Sequence, residues 1–144
     1  MRNQDSLYMD ITSRVAQQSY AVRLKVGAVV VKDNALFVGY NGTPSGMDNT
    51  CEEAYYDREG TLSLKTKSNV VHAEENCLGK MLKAGYSSKG ATIYIEYSPC
   101  IYCAKLIYNA GITRVVYREL YHSADGIEFL KQCNIMVEQY VPNL

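Results

Sequence analysis

Tryptophan is absent, histidine occurs only twice, and fifteen basic residues balance fifteen acidic ones. No apolar run approaches the roughly 20 residues needed to span a bilayer, "AVVV" at 28–31 being typical, and "MRNQDSLYMDIT" at the start has no signal-peptide core. A soluble protein of the cytoplasm, or of a host cytoplasm for a viral source, is therefore expected, with no membrane partner. The even charge balance excludes the basic stripe with which proteins grip polymeric nucleic acid, though not a pocket for one nucleotide. Five cysteines, an odd number at spacings unlike a secreted disulfide framework, predict reduced thiols. No linker, low-complexity tract or repeat divides the 144 residues, which at 47% hydrophobic content suit one domain with its own core. The thirteen tyrosines suit half-buried strands and carry no function by themselves.

Periodicity predicts α, two strands, then three helix-plus-strand units. Leu7, Ile11 and Val15 recur at helical spacing behind a possible cap at Asp5, giving a helix from about residue 5 to the low twenties. "VGAVVV" and "ALFVGY" flank "KDN" as a hairpin, and the stretch 41–71 has little periodicity and reads as a long functional loop. A helix with Leu78, Met81 and Leu82 apolar runs from His72 to Gly85. "ATIYIEY", a helix from Cys100 to Ala110, "TRVVY", a helix from Gly126 to Cys133 and "IMVEQY" complete the order. Strands alternating with helices imply an α/β fold, a mixed and largely parallel sheet covered on both faces, with sites where strand ends meet helix starts.

Two stretches fall at such points: "VVHAEENC" at 70–77 and "SPCIYCAK" at 98–105. His72, Cys100 and Cys103 offer the nitrogen and two thiolates that zinc accepts, and three protein ligands leave a fourth position for water. Three residues along a helix turn about 300°, so both sulfurs face one way, and first-turn placement favours the thiolates. Residues two apart do not share a helix face, so His72 is expected at or just before the cap, with Glu74 beyond it. Taken singly, such a histidine is an ordinary cap and Cys-x-x-Cys a redox pair or chance spacing; it is their combination that carries weight.

His-x-Glu followed by Pro-Cys-x-x-Cys resembles the signature of zinc-dependent nucleobase deaminases. "RLKVGAVVVKD", "GYNGTPSG", "DNTCEE", "HAEENCL", "SPCIYCAKLI" and "AGITRVVYRELY" occur in the order expected of the deoxycytidylate (dCMP) deaminase family. This resemblance implies a three-layer cytidine-deaminase-like fold with a five-stranded mixed sheet. It also implies hydrolytic deamination of dCMP to dUMP and ammonia, raising dUMP for thymidylate synthesis. Zinc on His72, Cys100 and Cys103 would activate water for attack at C4 of cytosine, and Glu74, which is no ligand, would be the catalytic acid and base.

For the substrate, Asn41 suits the sugar hydroxyl, small Ala73 lets the pyrimidine approach the backbone, and Pro99 fixes the approach to the cysteine helix. Ser98 lies beside the site with Tyr97 and Tyr102, which equally suit packing, and Arg23 and Lys25 are the cations placed for the 5′-phosphate. Members of the family are commonly homohexamers activated by dCTP and inhibited by dTTP, with Mg²⁺ on the triphosphate. That implies an effector site in the loop of Gly42, Thr43, Pro44, Ser45 and Gly46. Only Cys51 lies in the long stretch before His72, so a single zinc per chain is expected; Cys77 and Cys133 read as packing and His122 as a surface or capping histidine. A nucleoside deaminase, a tRNA adenosine deaminase and a non-catalytic zinc-stabilised module remain alternatives.

Overall fold

The computed structural model describes residues 4–142. Helix α1 (Gln4–Ala16) is shorter than its periodicity predicts. Its last turn gives way to a bend in which Ser19 Oγ accepts from Ala21 N and donates to the Asn41 carbonyl, a side chain competing for groups that a longer helix would use. The buried face is Tyr8, Met9, Thr12 and Ala16, with Ile11 and Val15 packed at its margin, while Leu7 is exposed.

Asp5 is not a cap. Its carboxylate accepts two bonds from the Arg114 guanidinium, at 2.8 and 2.7 Å, and one from Tyr94 Oη at 2.6 Å. The Arg114 partner holds its carboxyl below the usual carboxylate range against the opposing effect of burial. A depressed carboxylate contributes stability above its unfolded pKa and loses it as pH falls through the folded one. Asp5→Asn should therefore cost about 1–2 kcal/mol at neutral pH, with the gap to wild type closing below about pH 4, as denaturant unfolding at several pH values would measure.

Strands β1 (Gly27–Lys32) and β2 (Ala35–Tyr40) pair antiparallel, with Lys32 opposite Ala35. Asp33 and Asn34 both have positive φ, 51° and 63°, which matches the right-handed twist of the flanking strands. The stretch 41–71 is not wholly loop. It holds a separate hairpin of β3 (Glu52–Tyr56) and β4 (Leu62–Thr66), closed by a turn in which Asp57 Oδ1 accepts from Glu59 N and Thr61 N. Its side chains are largely exposed, so no buried face imposed the alternation that marks a strand in sequence.

The remaining elements are α2 (Ala73–Ala84), β5 (Thr92–Tyr97), α3 (Ile101–Asn109), β6 (Arg114–Glu119), α4 (Asp125–Gln132) and β7 (Met136–Gln139). The main sheet has the order β2-β1-β5-β6-β7, antiparallel across β2, β1 and β5 and parallel from β5 to β7. Alternate side chains face opposite layers. Val29, Tyr94 and Val116 meet α1, whereas Ala28, Val30, Ile93, Ile95 and Val115 join residues of α2, α3 and α4. The sheet is thus covered on both faces in three layers, as expected. Leu82 is an exception to the expected helix face, being 77% exposed.

One close approach fixes the start of α2. A Cβ on Gly39 would stand 2.6 Å from Cys77 N and 2.8 Å from the Ala73 carbonyl, so the β2 backbone lies directly against the first turns of the helix. Cys77 itself is core: its Sγ reaches the Phe37 carbonyl at 3.1 Å, and burial pushes its thiol up to about 12. Among the described residues, no helix is long and apolar enough to cross a membrane.

Candidate metal centre and its cavity

Since β2 and β5 both run antiparallel to β1, they point the same way, and β6 runs parallel to β5. The segments leaving these three strands therefore gather at one edge of the sheet, the place where α/β folds build their sites.

His72 is the N-cap of α2, in extended backbone (φ −68°, ψ 154°), and its N–H donates to Glu75 Oε1 at 3.1 Å. Cys100 is likewise the N-cap of α3 (φ −66°, ψ 168°), and Cys103 lies one turn into that helix. His72 Nδ1 stands 3.2 Å from Cys103 Sγ and 3.7 Å from Cys100 Sγ, and the three donor atoms lie within 4.8 Å of one another. A tetrahedral ion with bonds of about 2.0 Å to nitrogen and 2.3 Å to sulfur requires N···S edges of about 3.6 Å. The spacing brackets that value, and one imidazole with two thiols is a zinc donor set, so the residues fit the ion.

Electrostatics prepare one donor, Cys100, as the thiolate. Hydrogen bonding from Cys103, aided by His72 and the Cys103 N–H at the helix start, holds the Cys100 thiol down at about 4. The Cys100 contact in turn raises His72 to about 9, against the effect of its burial. Cys103 is pushed upward, chiefly by sharing a hydrogen bond with Cys100 and by burial. Glu74, 5% exposed, is raised by burial above the usual carboxylate range, with the nearby His72 charge opposing.

His72, Glu74 and Cys100 border a cavity of about 330 Å³. His72, Ala73, Glu74 and Cys100 line it from the starts of α2 and α3, Asn41, Tyr97 and Ser98 from the ends of β2 and β5, and Arg23 and Glu52 join them.

The cytidine and deoxycytidylate deaminase zinc-binding region, as a family model, matches residues 2–119. The chain belongs to that deaminase family. It is 39% identical over 120 residues to the deoxycytidylate deaminase of Mycobacterium phage D29, covering 78% of this chain and 92% of that one. Against the deoxycytidylate deaminase of Schizosaccharomyces pombe it is 34% identical across 96% of its length, and it spans only 44% of the yeast protein. Among solved structures, the dCMP deaminase of cyanophage S-TIM5 in complex with dCMP and dUMP superposes with a TM-score of 0.85 at 38% identity, over 97% of this chain and 99% of that one.

In this deaminase-family chain, several expected substrate residues sit differently from their sequence reading. The Asn41 amide is largely engaged in bracing: Oδ1 accepts from Val26 N at 2.9 Å and Nδ2 donates to the Leu24 carbonyl at 2.8 Å, leaving two of its four bonding positions for a ligand. Ser98 borders the cavity, but its hydroxyl accepts from Tyr121 N at 2.7 Å and so ties the strand β5 exit to the strand β6 exit. Pro99 does not reach the cavity. It is fully buried, and its carbonyl lies against Gly126 so closely that no Cβ fits there. Lys25 is also absent from the lining; its ammonium donates to the Ser19 carbonyl at 2.8 Å. Arg23 does border the cavity, and Tyr102 points away at 77% exposure.

Several lining residues escaped the sequence reading, Glu52, Thr66, Tyr121 and His122 among them. His122 is exposed, as expected, and also borders the cavity, with its ring 3.9 Å from that of Tyr121. Glu52 is one of the two buried carboxylates among the described residues. "YHS" and "CEE" carry no spacing that distinguishes them from ordinary loop polarity; only the meeting of strand ends brings them to the site. Residues 42–46 lie outside the cavity; Gly42 and Thr43 are half-buried, and Pro44 to Gly46 form an exposed turn with Met47 N donating to the Pro44 carbonyl and Gly46 at φ 87°.

Proposed function

We propose that the protein is a zinc-dependent hydrolase that converts dCMP to dUMP and ammonia. The observation carrying this reading is a buried Glu74 on the wall of a nucleotide-sized cavity, beside the three-donor His72–Cys100–Cys103 group. Family membership and likeness to a dCMP deaminase with dCMP and dUMP bound support it.

Bound at His72, Cys100 and Cys103, zinc supplies the Lewis acidity that makes water a nucleophile near neutral pH. The chain's own residues then manage the protons. Replacing the C4 amine by oxygen requires one proton to leave the attacking water, one to reach N3, and the amine to depart protonated as ammonia. Glu74 is the group positioned to carry them, its carboxyl held by burial above the usual carboxylate range. Ala73, with no side chain beyond Cβ, leaves the pyrimidine room beside the helix start, and Asn41 offers its remaining amide positions to the sugar. Arg23 is the cation for the 5′-phosphate, being the one Lys or Arg among the lining residues.

The reading extends to regulation. Gly42 and Val71 exchange backbone hydrogen bonds, at 3.1 and 2.8 Å, one residue before His72. A dCTP–Mg²⁺ or dTTP–Mg²⁺ effector held by Thr43, Pro44, Ser45 and Gly46 would thus pull directly on the segment that presents the metal ligand. Assembly as a homohexamer, a cytoplasmic location and supply of dUMP for thymidylate synthesis belong to the same proposal.

Ultraviolet-monitored deamination of dCMP, deoxycytidine and CMP by purified protein tests the reading, alone and with each effector. Turnover confined to dCMP, raised by dCTP and suppressed by dTTP, is expected. Turnover of deoxycytidine but not dCMP would overturn the monophosphate assignment, and turnover of none would overturn the enzyme.

A further inference from the structure

Two carboxylates are buried among the described residues, and the chemistry above uses only Glu74. The other, Glu52, is 8% exposed at the base of the β3–β4 hairpin, whose remaining side chains are mostly in solvent. Its Oε2 accepts from two consecutive main-chain donors, Val22 N and Arg23 N, each at 2.9 Å. Directly across the hairpin from Glu52 is Thr66, whose Oγ1 accepts from the Arg23 guanidinium at 3.2 Å. One residue of the pair thus holds the Arg23 main chain and the other its side chain, and all three border the cavity.

Charge placement makes this more than a structural brace. Among the described residues Arg23 forms no ion pair within 4 Å, whereas Arg114 and Arg118 do. The Glu52 carboxylate is directed at the peptide N–H groups instead of the guanidinium. It therefore fixes the cation without neutralising it, leaving its charge and remaining donors for an anion.

We infer that Glu52 is a positioning residue for substrate recognition: acting through Arg23, with Thr66, it sets the guanidinium to receive the 5′-phosphate of the nucleotide. The inference rests on the dCMP reading above. It gives the hairpin a task, the selection of a monophosphate over a nucleoside.

A double-mutant cycle tests it. Steady-state kinetics on dCMP and deoxycytidine would be measured for wild type, Glu52→Gln, Thr66→Val, Arg23→Gln and the Arg23→Gln/Glu52→Gln pair, with zinc content and thermal unfolding as checks on folding. Glu52→Gln should raise KM for dCMP about tenfold, with a change in kcat under about threefold, and should lower selectivity for dCMP over deoxycytidine by a similar factor. Thr66→Val, which leaves the buried carboxylate alone, should move KM the same way by about threefold, and it carries the test should Glu52→Gln fold poorly. In the Arg23→Gln background, Glu52→Gln should add less than about twofold. Equal losses on nucleotide and nucleoside, effects that multiply in the double variant, or no shift in KM from either variant would each overturn the inference while leaving the dCMP deaminase reading standing. Failure of the wild type to deaminate dCMP would overturn both.

Discussion

Glu74→Gln is expected to lower dCMP turnover by at least about 10³-fold while nucleotide and zinc remain bound. The substitution keeps the shape of the side chain while removing its charge and its capacity to exchange protons. None of the three metal donors is altered, so zinc per chain should match wild type, and dCMP affinity by equilibrium dialysis should change by less than about threefold. Stability provides a second readout with a definite sign. Burial raises the Glu74 pKa, which means that the folded state pays for the ionised form; a neutral amide relieves that cost, so thermal unfolding should occur no lower than in wild type. Near-normal turnover in this variant would eliminate Glu74 as the proton carrier.

His72→Ala should have an equally large effect on activity by a different route. With one of three donors gone, zinc per chain is expected to fall at least about tenfold and deamination to become undetectable, and a chelator should bring wild type to the same state. Because His72 and Cys100 are the cap residues of α2 and α3, an ion that joins them also pins two helix starts together. Zinc-loaded wild type should therefore unfold at a higher temperature than either the chelated protein or the variant. Retention of a full zinc complement by His72→Ala would overturn the ligand assignment. Together the two variants separate holding the metal from moving the proton.

The parts legible in sequence are those governed by local rules. The Asp33–Asn34 turn, the left-handed Gly85 closing α2 (φ 68°) and the cap position of His72 follow from turn chemistry, capping and helical spacing. The metal donors were legible because their types and spacing are rare in combination. What sequence concealed depends on contacts distant along the chain. Asp5 looked like a cap because nothing local announces Arg114, 109 residues away. The β3–β4 hairpin buries almost nothing, so it leaves no alternation to read. Lys25 and Arg23 were indistinguishable as cations; the Ser19 carbonyl withdraws one, and Glu52 with Thr66 presents the other.

The contact between the Gly39 backbone and the first turns of α2 has a bearing on ancestry. There the position of His72 and Glu74 is set by main chain against main chain, a geometry that depends on the missing Cβ and not on which side chains fill the layer behind it. Core residues such as Val30, Leu78 and Ile95 can then be exchanged for others of similar volume over long divergence without moving His72 and Glu74. A lineage can replace some six residues in ten, as between this chain and its cyanophage relative, and still inherit the same chain trace.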